Sequence, residues 1–431
     1  MLNPNQSINE CGHLCIDNCD AVDLAKEYGT PLYVMNENVI RENCRSFVNA
    51  FNEFYNGHGR AYYASKAFSC LEIYRIINEE GMGVDVVSGG ELYTAIKAGF
   101  PAEKINFHGN NKTPEELTMA LEYGVGKIIV DNYAEFELIN TIAASMGKVA
   151  DIAIRIKPGI EAHTHDYIKT GQIDSKFGFA IENGEAILAV EKSLTFDNLK
   201  LSGIHCHIGS QIFDITPFVD AATVMMDFIK TVKEKFGIVI EELNLGGGFG
   251  IKYVESDEPK PFCDYISAVS EVVKNKAQQI GINIPFVSIE PGRSIVAEAG
   301  VTLYTVGGIK DIPGVRTYVS VDGGMSDNIR YALYQAEYTV MNASNADKTL
   351  TEQVTIAGKC CESGDLIQEN VMISKTNPGD ILAVLSTGAY NYSMASNYNR
   401  IPRPAVVMVN GDKHRVIIKR ETYEDIIKND I

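Results

Sequence analysis

The sequence lacks any apolar run of the ~18 residues that a transmembrane helix needs. Its N-terminal stretch, MLNPNQSINECGHLCIDN, lacks the basic and apolar regions of a secretory signal peptide. Positive charge is also scarce, because 38 lysines and arginines face 56 aspartates and glutamates, a formal net charge of −18. These absences disfavour nucleic-acid and membrane partners and predict a cytoplasmic enzyme acting on a small molecule.

The nine cysteines are an odd number, which does not suit a disulfide framework, and the cytoplasm keeps thiols reduced. Cys11, Cys15 and Cys19 are spaced by three residues around His13. This spacing differs from the Cys-x2-Cys pattern of zinc sites, and the segment HLCID alternates like a strand. We therefore interpret these thiols as structural and predict no metal site.

From residue 60 the sequence repeats a short apolar strand, a loop and a helix. Six predicted helices have apolar residues at helical spacing and end in glycine: CLEIYRIINEEG, ELYTAIKAG, TPEELTMALEYG, AEFELINTIAASMG, TPFVDAATVMMDFIKTVKEKFG and CDYISAVSEVVKNKAQQIG. Strands that alternate with helices form a parallel sheet, and eight units match a (β/α)8 barrel of typically ~250 residues. The predicted strands are RAYYASKA (60–67), GVDVVS (83–88), KINFHG (104–109), KIIVDN (127–132), DIAIRIKPG (151–159), KLSGIHCHIG (200–209), ELNLGGGFG (242–250) and PFVSIEPGR (285–293).

Beyond residue 299 the pattern changes to short alternating runs, from TLYTVGGI to HRVIIKRE, without long helices between them. This part predicts an all-β domain of the sandwich or barrel type. HLCID and PLYVMN near the N-terminus are also strand-like, and we expect them to join it. The predicted fold is thus α/β plus all-β, with a TIM-like barrel domain at 36–298 and a β domain formed by 1–35 and 299–431.

Residues able to carry out chemistry follow the predicted barrel strands, at the face where such barrels hold their active sites. Lys66 is either a solvated lysine or a Schiff-base lysine whose amine attacks a carbonyl. The glycine run 246–248 lacks the GxGxxG spacing of dinucleotide sites and instead suits backbone N–H groups around a phosphate. The residues at the strand ends are Lys66, Asp85, His108, Arg155, His207, the glycines 246–248, Glu290 and Arg293.

The last two site motifs fit an aromatic phosphorylated cofactor. In EPGR, Gly292 permits close backbone approach, and Arg293 can bind a phosphate or a carboxylate. Glu290 either forms a salt bridge or faces the pyridine nitrogen of pyridoxal phosphate, where its charge strengthens the electron sink. In HCHIGSQ, His207 is a core or solvent histidine, half of a weak zinc pair, or a ring stacked on the cofactor with Ser210 near its phosphate.

Seven motifs in order carry a resemblance that covers nearly the whole chain, from Pro31 to Pro404: YYASKA, VDVVSGGEL, HCHIGSQ, GGGFG, EPGRS, CESGD and GAYNYSMASNYN. Together they resemble the diaminopimelate branch of the barrel-type (fold type III) pyridoxal-phosphate decarboxylases. The resemblance implies pyridoxal 5′-phosphate as cofactor and the conversion of meso-2,6-diaminopimelate to L-lysine and CO2. It also implies a homodimer in which CESGD of one subunit completes the active site of the other.

The resemblance further implies roles for individual residues. Catalysis falls to Lys66, which forms the Schiff base, and to His207, Glu290 and Cys361. In KCCESGD (359–365), the adjacent thiols differ, because Cys361 is the implied proton donor and Cys360 a packing residue. The implied cofactor positions are Lys66, Asp85, Arg155, His207, Ser210, Gly246, Gly247, Gly248, Glu290, Gly292, Arg293 and Tyr390. The implied substrate positions are Arg293, Arg330, Tyr334, Glu362 and Tyr390.

Three alternative functions compete with this interpretation. A related decarboxylase acting on carboxynorspermidine, ornithine or arginine would differ at the substrate end, where CESGD and the 330–334 stretch favour diaminopimelate. A racemase of the alanine type would, by resemblance, have an arginine where this chain has Glu290. A non-enzymatic cofactor-binding homologue is disfavoured by the presence of Lys66, Cys361 and the whole β domain.

Overall fold

The computed structural model describes residues 2–160 and 175–431. Contacts divide the chain into two compact units. Asn43–Gly250 and Pro259–Gly292 form the first, which we call the barrel unit. Met1–Glu42, Ile251–Glu258 and Arg293–Ile431 form the second, the β unit. No helix in the described part of the chain is long and apolar enough to cross a membrane.

The elements are numbered in chain order. The strands are β1 Gln6–Ile8, β2 Leu14–Ile16, β3 Cys19–Asp20, β4 Leu32–Asn36, β5 Gly59–Ala64, β6 Gly83–Val86, β7 Ile105–Phe107, β8 Lys127–Val130, β9 Ala150–Lys157, β10 Phe179–Ala180, β11 Leu199–Cys206, β12 Glu242–Asn244, β13 Phe286–Ile289, β14 Gly300–Ile312, β15 Arg316–Val321, β16 Val340–Asn342, β17 Glu352–Ala357, β18 Leu366–Ile373, β19 Ile381–Leu385, β20 Ala405–Asn410 and β21 Lys413–Ile418. The helices are α1 Ala21–Tyr28, α2 Glu37–Tyr55, α3 Leu71–Glu79, α4 Gly89–Ala98, α5 Pro114–Tyr123, α6 Tyr133–Ser145, α7 Glu185–Ser193, α8 Thr216–Phe236, α9 Phe262–Ile280, α10 Arg293–Val296, α11 Arg330–Tyr334 and α12 Tyr423–Ile427.

Within the described residues of the barrel unit, eight parallel strands close on themselves in the order β5-β6-β7-β8-β9-β11-β12-β13, and β13 pairs back with β5. The short strand β10 pairs with β9 outside this ring. The predicted (β/α)8 barrel is therefore confirmed. Each predicted segment extends beyond the C-terminal end of its strand, because those residues belong to the loops that follow. RAYYASKA, for example, continues for three residues after β5 ends at Ala64.

The barrel helices begin and end at recognisable signals. Thr113 forms a capping box with Glu116 at the start of α5, Pro114 occupies its first turn, and Gly124 ends it in the left-handed conformation. The six helices predicted from periodicity are α3, α4, α5, α6, α8 and α9. Two others, α2 and α7, were not predicted.

The β unit contains a mixed sheet in the order β18-β17-β15-β14-β4-β20-β21, with β19 paired to both β14 and β16. PLYVMN joins this sheet as β4, which lies antiparallel to β14 and parallel to β20. HLCID instead contributes β2 to a separate antiparallel sheet with β1 and β3. Leu14 and Ile16 of β2 are nevertheless buried in the same apolar core as Leu32 and Val34 of β4. The predicted all-β domain with N-terminal strands is confirmed.

A buried ion pair links two successive strand–helix units of the barrel. Lys112 Nζ donates to the carbonyls of Gly109 and Ile129, each at 2.6 Å, and lies 3.1 Å from Glu135 Oε2. Its side chain is 1% exposed, and that of Glu135 is 4% exposed. The lysine therefore neutralises a carboxylate that water does not reach.

We expect Lys112→Met to lower the free energy of unfolding by about 3–5 kcal/mol, because Glu135 would remain buried without its partner charge. Urea-induced unfolding measures the change. Lys26→Met is the matched control, since Lys26 and Asp23 pair at 3.0 Å with side chains 69% and 71% exposed. Such a surface pair contributes about 0–1 kcal/mol. Equal losses of unfolding free energy in both variants would contradict the structural role of the buried Lys112–Glu135 pair.

Candidate active site

The barrel unit places four of the predicted site residues at or near the C-terminal ends of its strands. Lys66 lies in the 3-10 turn Ser65–Ala67 directly after β5, and its side chain is exposed. Asp85 lies within β6, His207 directly follows β11, and Glu290 directly follows β13. Because all strands of the ring are parallel, these positions share one face of the barrel.

Glu290 is the centre of a buried polar cluster. Its Oε1 accepts a hydrogen bond from Asn244 Nδ2 at 2.8 Å and lies 2.7 Å from His108 Nε2. Its Oε2 lies 3.1 Å from His205 Nε2. The ligand-type atoms of His108, His205 and Glu290 lie within 4.8 Å of one another, a spacing that also suits a metal ion. Both carboxylate oxygens, however, already contact neighbouring side chains.

The environment fixes the charges of this cluster. Burial alone would raise the pKa of Glu290, but the contacts of His108 and His205 outweigh it and hold the pKa well below its usual range. Burial lowers the pKa of His205 to about 4, against the influence of Glu290. Burial raises the pKa of Asp85 to about 7, while His108 opposes the shift. At neutral pH the cluster therefore presents an anionic Glu290 beside a neutral His205.

The glycine run after β12 forms a tight backbone turn against the loop after β11. Gly247 N–H donates to His207 Nδ1 at 3.2 Å. Burial and the nearby charge of Lys66 hold the pKa of His207 well below its usual range, so its imidazole is neutral. A Cβ at Gly247 would collide with the Glu290 carbonyl oxygen, and one at Gly248 would lie 2.7 Å from the Gly209 carbonyl oxygen. Only glycine permits this close packing, which suits a backbone phosphate cradle.

The remaining cofactor positions of the barrel unit lie at the same strand ends. Arg155 Nε lies 3.8 Å from Asp131 Oδ1, and the Arg155 guanidinium lies 4.2 Å from the centre of the Phe177 ring. Ser210 is half-buried in the loop after β11. A Cβ at Gly292 would lie 2.9 Å from the Ala64 Cβ, close to the turn that carries Lys66.

In the β unit, the structure brings together three of the predicted substrate residues. Arg293 and Arg330 are both buried, and their guanidinium carbons lie 4.9 Å and 5.9 Å from the centre of the Tyr390 ring. Tyr390 has a φ of 70°, a left-handed conformation that is rare for an aromatic residue. Such backbone strain is concentrated at functional sites.

The other predicted residues of the β unit lie elsewhere in it. Tyr334 is half-buried at the end of α11, and Glu362 is exposed in the 359–365 turn. Cys360 is buried, and its N–H donates to Asp365 Oδ2 at 2.6 Å. Cys361 is exposed, and its N–H donates to Asn399 Oδ1 at 2.7 Å. The two adjacent thiols thus differ in burial, and both are free.

Some residues of these clusters were not assigned from the sequence. His108 follows a predicted strand but received no role, and His205 was considered only as half of a zinc pair. Asn244 ends β12 two residues before the glycine run, a position that could have marked it. Tyr253 and Tyr338 contact the arginines of the β unit, and no motif signals them.

A family model for the pyridoxal-binding domain of pyridoxal-dependent decarboxylases matches residues 37–297. The chain therefore belongs to the pyridoxal-dependent decarboxylases, as its motifs indicated. This family assignment confirms pyridoxal 5′-phosphate as the cofactor.

Its full-length relatives define the branch of that family. The chain is 52% identical to the diaminopimelate decarboxylase of Bacillus subtilis (strain 168), over 98% of this chain and 96% of the relative. It is 47% identical to that of Staphylococcus aureus (strain COL), over 98% of both chains. The crystal structure of the M. jannaschii diaminopimelate decarboxylase with L-lysine is 39% identical, with a TM-score of 0.92, and covers 100% of this chain and 99% of its own.

The barrel unit fits pyridoxal phosphate on its own geometry. Asp85 Oδ1 is buried and has no hydrogen-bond partner among the described residues, so a ligand group can engage it. The glycine turn offers backbone space where any side chain would collide. Lys66 supplies an exposed amine and Glu290 a buried anion. These are the groups needed for an aldehyde, a phosphate and a pyridine nitrogen.

Proposed function

We infer that this chain is a carboxy-lyase that decarboxylates meso-2,6-diaminopimelate to L-lysine and CO2. The observation that carries this function is the buried, anionic Glu290 held by His108, His205 and Asn244 at the strand ends that carry Lys66. A racemase of the alanine type would, by resemblance, have an arginine at this position. The full-length similarity to diaminopimelate decarboxylases supports the substrate. The similarity to the lysine/ornithine decarboxylase of Vibrio vulnificus, at 23% identity, is evidence for the fold and not for the substrate.

We propose the following roles for the barrel residues. When bound, pyridoxal phosphate supplies an aromatic electron sink for the electron pair that departing CO2 leaves behind. Lys66 would hold the cofactor through its aldehyde group, since its amine can condense with that group and release water. Glu290 holds a proton at the pyridine nitrogen, because its carboxylate is anionic at neutral pH. His207 packs its neutral ring on the aromatic face, and Asp85, Arg155, Ser210, Gly246, Gly247, Gly248 and Gly292 bind the remaining polar groups.

We propose that the β unit binds the substrate. Arg293 and Arg330 bind a carboxylate through their guanidinium N–H groups. Tyr390 contacts both substrate and cofactor, Tyr334 binds substrate, and Glu362 binds the distal ammonium. Cys361 donates the proton that replaces the lost carboxylate.

We also propose a homodimer in which the 359–365 turn of one subunit completes the site of the other. The exposure of Cys361 and Glu362 supports this arrangement, since both side chains are available to a second chain. We further propose a cytoplasmic location, which suits a protein whose nine cysteines are free.

An assay for CO2 and L-lysine release from meso-diaminopimelate tests the proposed function. We expect turnover of this substrate and little turnover of ornithine, arginine or carboxynorspermidine. If the enzyme prefers one of these three compounds, that compound is the substrate in place of meso-diaminopimelate. Inversion of one stereoisomer without CO2 release would indicate a racemase.

Glu290→Gln should retain the cofactor but lower turnover roughly 10²–10³-fold, the range seen when one preorganised electrostatic group is removed. The amide keeps the size of the side chain but cannot hold a proton at the ring nitrogen. Absorbance of the bound cofactor measures loading, and lysine release measures turnover. Unchanged turnover with full loading would remove Glu290 from its role.

A further inference from the structure

Tyr253 lies at the centre of the arginine cluster of the β unit. Its hydroxyl oxygen accepts a hydrogen bond from Arg293 Nη1 at 2.6 Å and another from Arg330 Nη1 at 3.3 Å. Both guanidinium carbons also lie over its ring, at 5.6 Å and 5.3 Å from the centre. The residue is only 8% exposed. One phenol is therefore shared by two buried cations.

A second tyrosine fixes Arg330 from another side. Arg330 Nη1 donates to the Tyr338 hydroxyl at 2.6 Å, and that hydroxyl donates to Asn391 Oδ1 at 3.1 Å. Tyr338 and Asn391 are both buried. Among the described residues, no carboxylate pairs with Arg330, whose hydrogen-bond contacts are these two phenols. Its guanidinium is oriented by two tyrosine hydroxyls and can still bind an anionic ligand.

The charges of both guanidinium groups act on the shared phenol. Burial would raise the pKa of Tyr253, but the charges of Arg293 and Arg330 outweigh it and lower the pKa. Two buried guanidinium groups that share one hydroxyl oxygen repel each other, and a carboxylate between them would relieve the repulsion. The ligand class that fits this cluster is therefore a carboxylate.

We propose that Tyr253 is a positioning residue for carboxylate recognition: its hydroxyl holds Arg293 and Arg330 at the separation that receives one carboxylate of the substrate. The inference rests on the proposed function for the identity of that substrate. Tyr253 acts through the two arginines and takes no part in bond breaking. Its removal should therefore weaken binding of carboxylate ligands and leave the chemical step nearly intact.

Tyr253→Phe in the full-length holoenzyme tests the proposal. We expect KM for meso-diaminopimelate to rise about 10-fold, the equivalent of one hydrogen bond to a charged group. We expect kcat to change by less than about 3-fold. The specific readout is ligand binding followed by cofactor absorbance. The dissociation constant of L-lysine should rise about 10-fold, and that of cadaverine, which lacks a carboxylate, should stay the same.

Two further variants complete the test. Tyr28→Phe is the matched control, because the Tyr28 hydroxyl lies 2.7 Å from His414 Nδ1 in the same unit and contacts neither arginine. It should behave as wild type. Tyr338→Phe removes the other hydroxyl that accepts a hydrogen bond from Arg330. It should also weaken the binding of lysine and leave that of cadaverine unchanged. If Tyr253→Phe fails to fold, Tyr338→Phe decides the matter.

Equal weakening of lysine binding and cadaverine binding in Tyr253→Phe would indicate a general packing role and overturn the proposal. Unchanged lysine binding would also overturn it. Failure of the proposed function has a different signature. Suppose that lysine binding depends on these residues, cadaverine binding does not, and wild type fails to turn over meso-diaminopimelate. The reaction is then misassigned, and the role of Tyr253 stands.

Discussion

Lys66→Ala should lose the absorbance of covalently bound cofactor and lower turnover of meso-diaminopimelate by roughly 10³-fold or more, a loss comparable to removal of an acid–base group. Lys66 is exposed in its 3-10 turn, so truncation at Cβ leaves the packing of the turn intact. The neighbouring Ser65 side chain, which donates to Glu91 Oε2 at 2.9 Å, keeps the turn in place. The defect should therefore be chemical and not structural.

Absorbance spectra and lysine release measure the two effects of Lys66→Ala. Lys97→Ala is the control, because Lys97 is an exposed lysine on α4 of the same unit. It should keep both the spectrum and the rate of wild type. Full activity in Lys66→Ala would refute the proposed mechanism at its first step.

Cys361→Ala should bind cofactor normally but turn over substrate about 10²–10⁴-fold more slowly, the contribution typical of a positioned proton donor. Cys361 is exposed and only its backbone is held, by Asn399, so the substitution removes no packing. Cys360→Ala is the matched control from the adjacent position. Because the Cys360 side chain is buried, we expect a modest loss of stability and near-normal turnover at low temperature.

Alkylation tests the different roles of the two thiols independently of the substitutions. Loss of activity should follow modification of Cys361, as located by peptide mass, and not that of Cys360. Loss that follows Cys360 would reverse the assignment. Mixing Lys66→Ala with Cys361→Ala should restore part of the activity, because a mixed dimer contains one site with both residues. No restoration after confirmed subunit exchange would contradict the proposed sharing of the site.

The repeating pattern of strand and helix predicted the barrel because each buried strand is short, apolar and followed by a helix with clear end signals. The strand ends were less predictable. The residues of β5 and those of the turn after it have similar polarity, and only backbone hydrogen bonds distinguish them. HLCID and PLYVMN were both expected to join the β domain, and they do so in two different sheets. An alternating segment identifies a buried face, however, and does not identify which strand pairs with it.

The candidate site was predictable where a single motif contains both an apolar strand and the reactive side chain that follows it. Lys66 and Glu290 each follow an apolar strand, and the parallel order of the barrel places them at one face. The contacts around Glu290 were not predictable, because His108, His205 and Asn244 come from three separate strands and meet only in the folded ring. Tyr253 gives the same lesson, since Arg330 is distant from it in the chain.

The ring of strands is completed where β13 meets β5, and the Ala64 N–H donates to the Pro291 carbonyl at 3.0 Å beside that pairing. Lys66 follows the first strand of the ring and Glu290 follows the last. In the proposed arrangement, a cofactor attached to Lys66 and paired with Glu290 would lie across the junction of these two strands. Since the two strands are the most distant of the ring in sequence, their pairing has a high loop-closure cost. We therefore expect saturation with pyridoxal phosphate to protect the completed ring against unfolding.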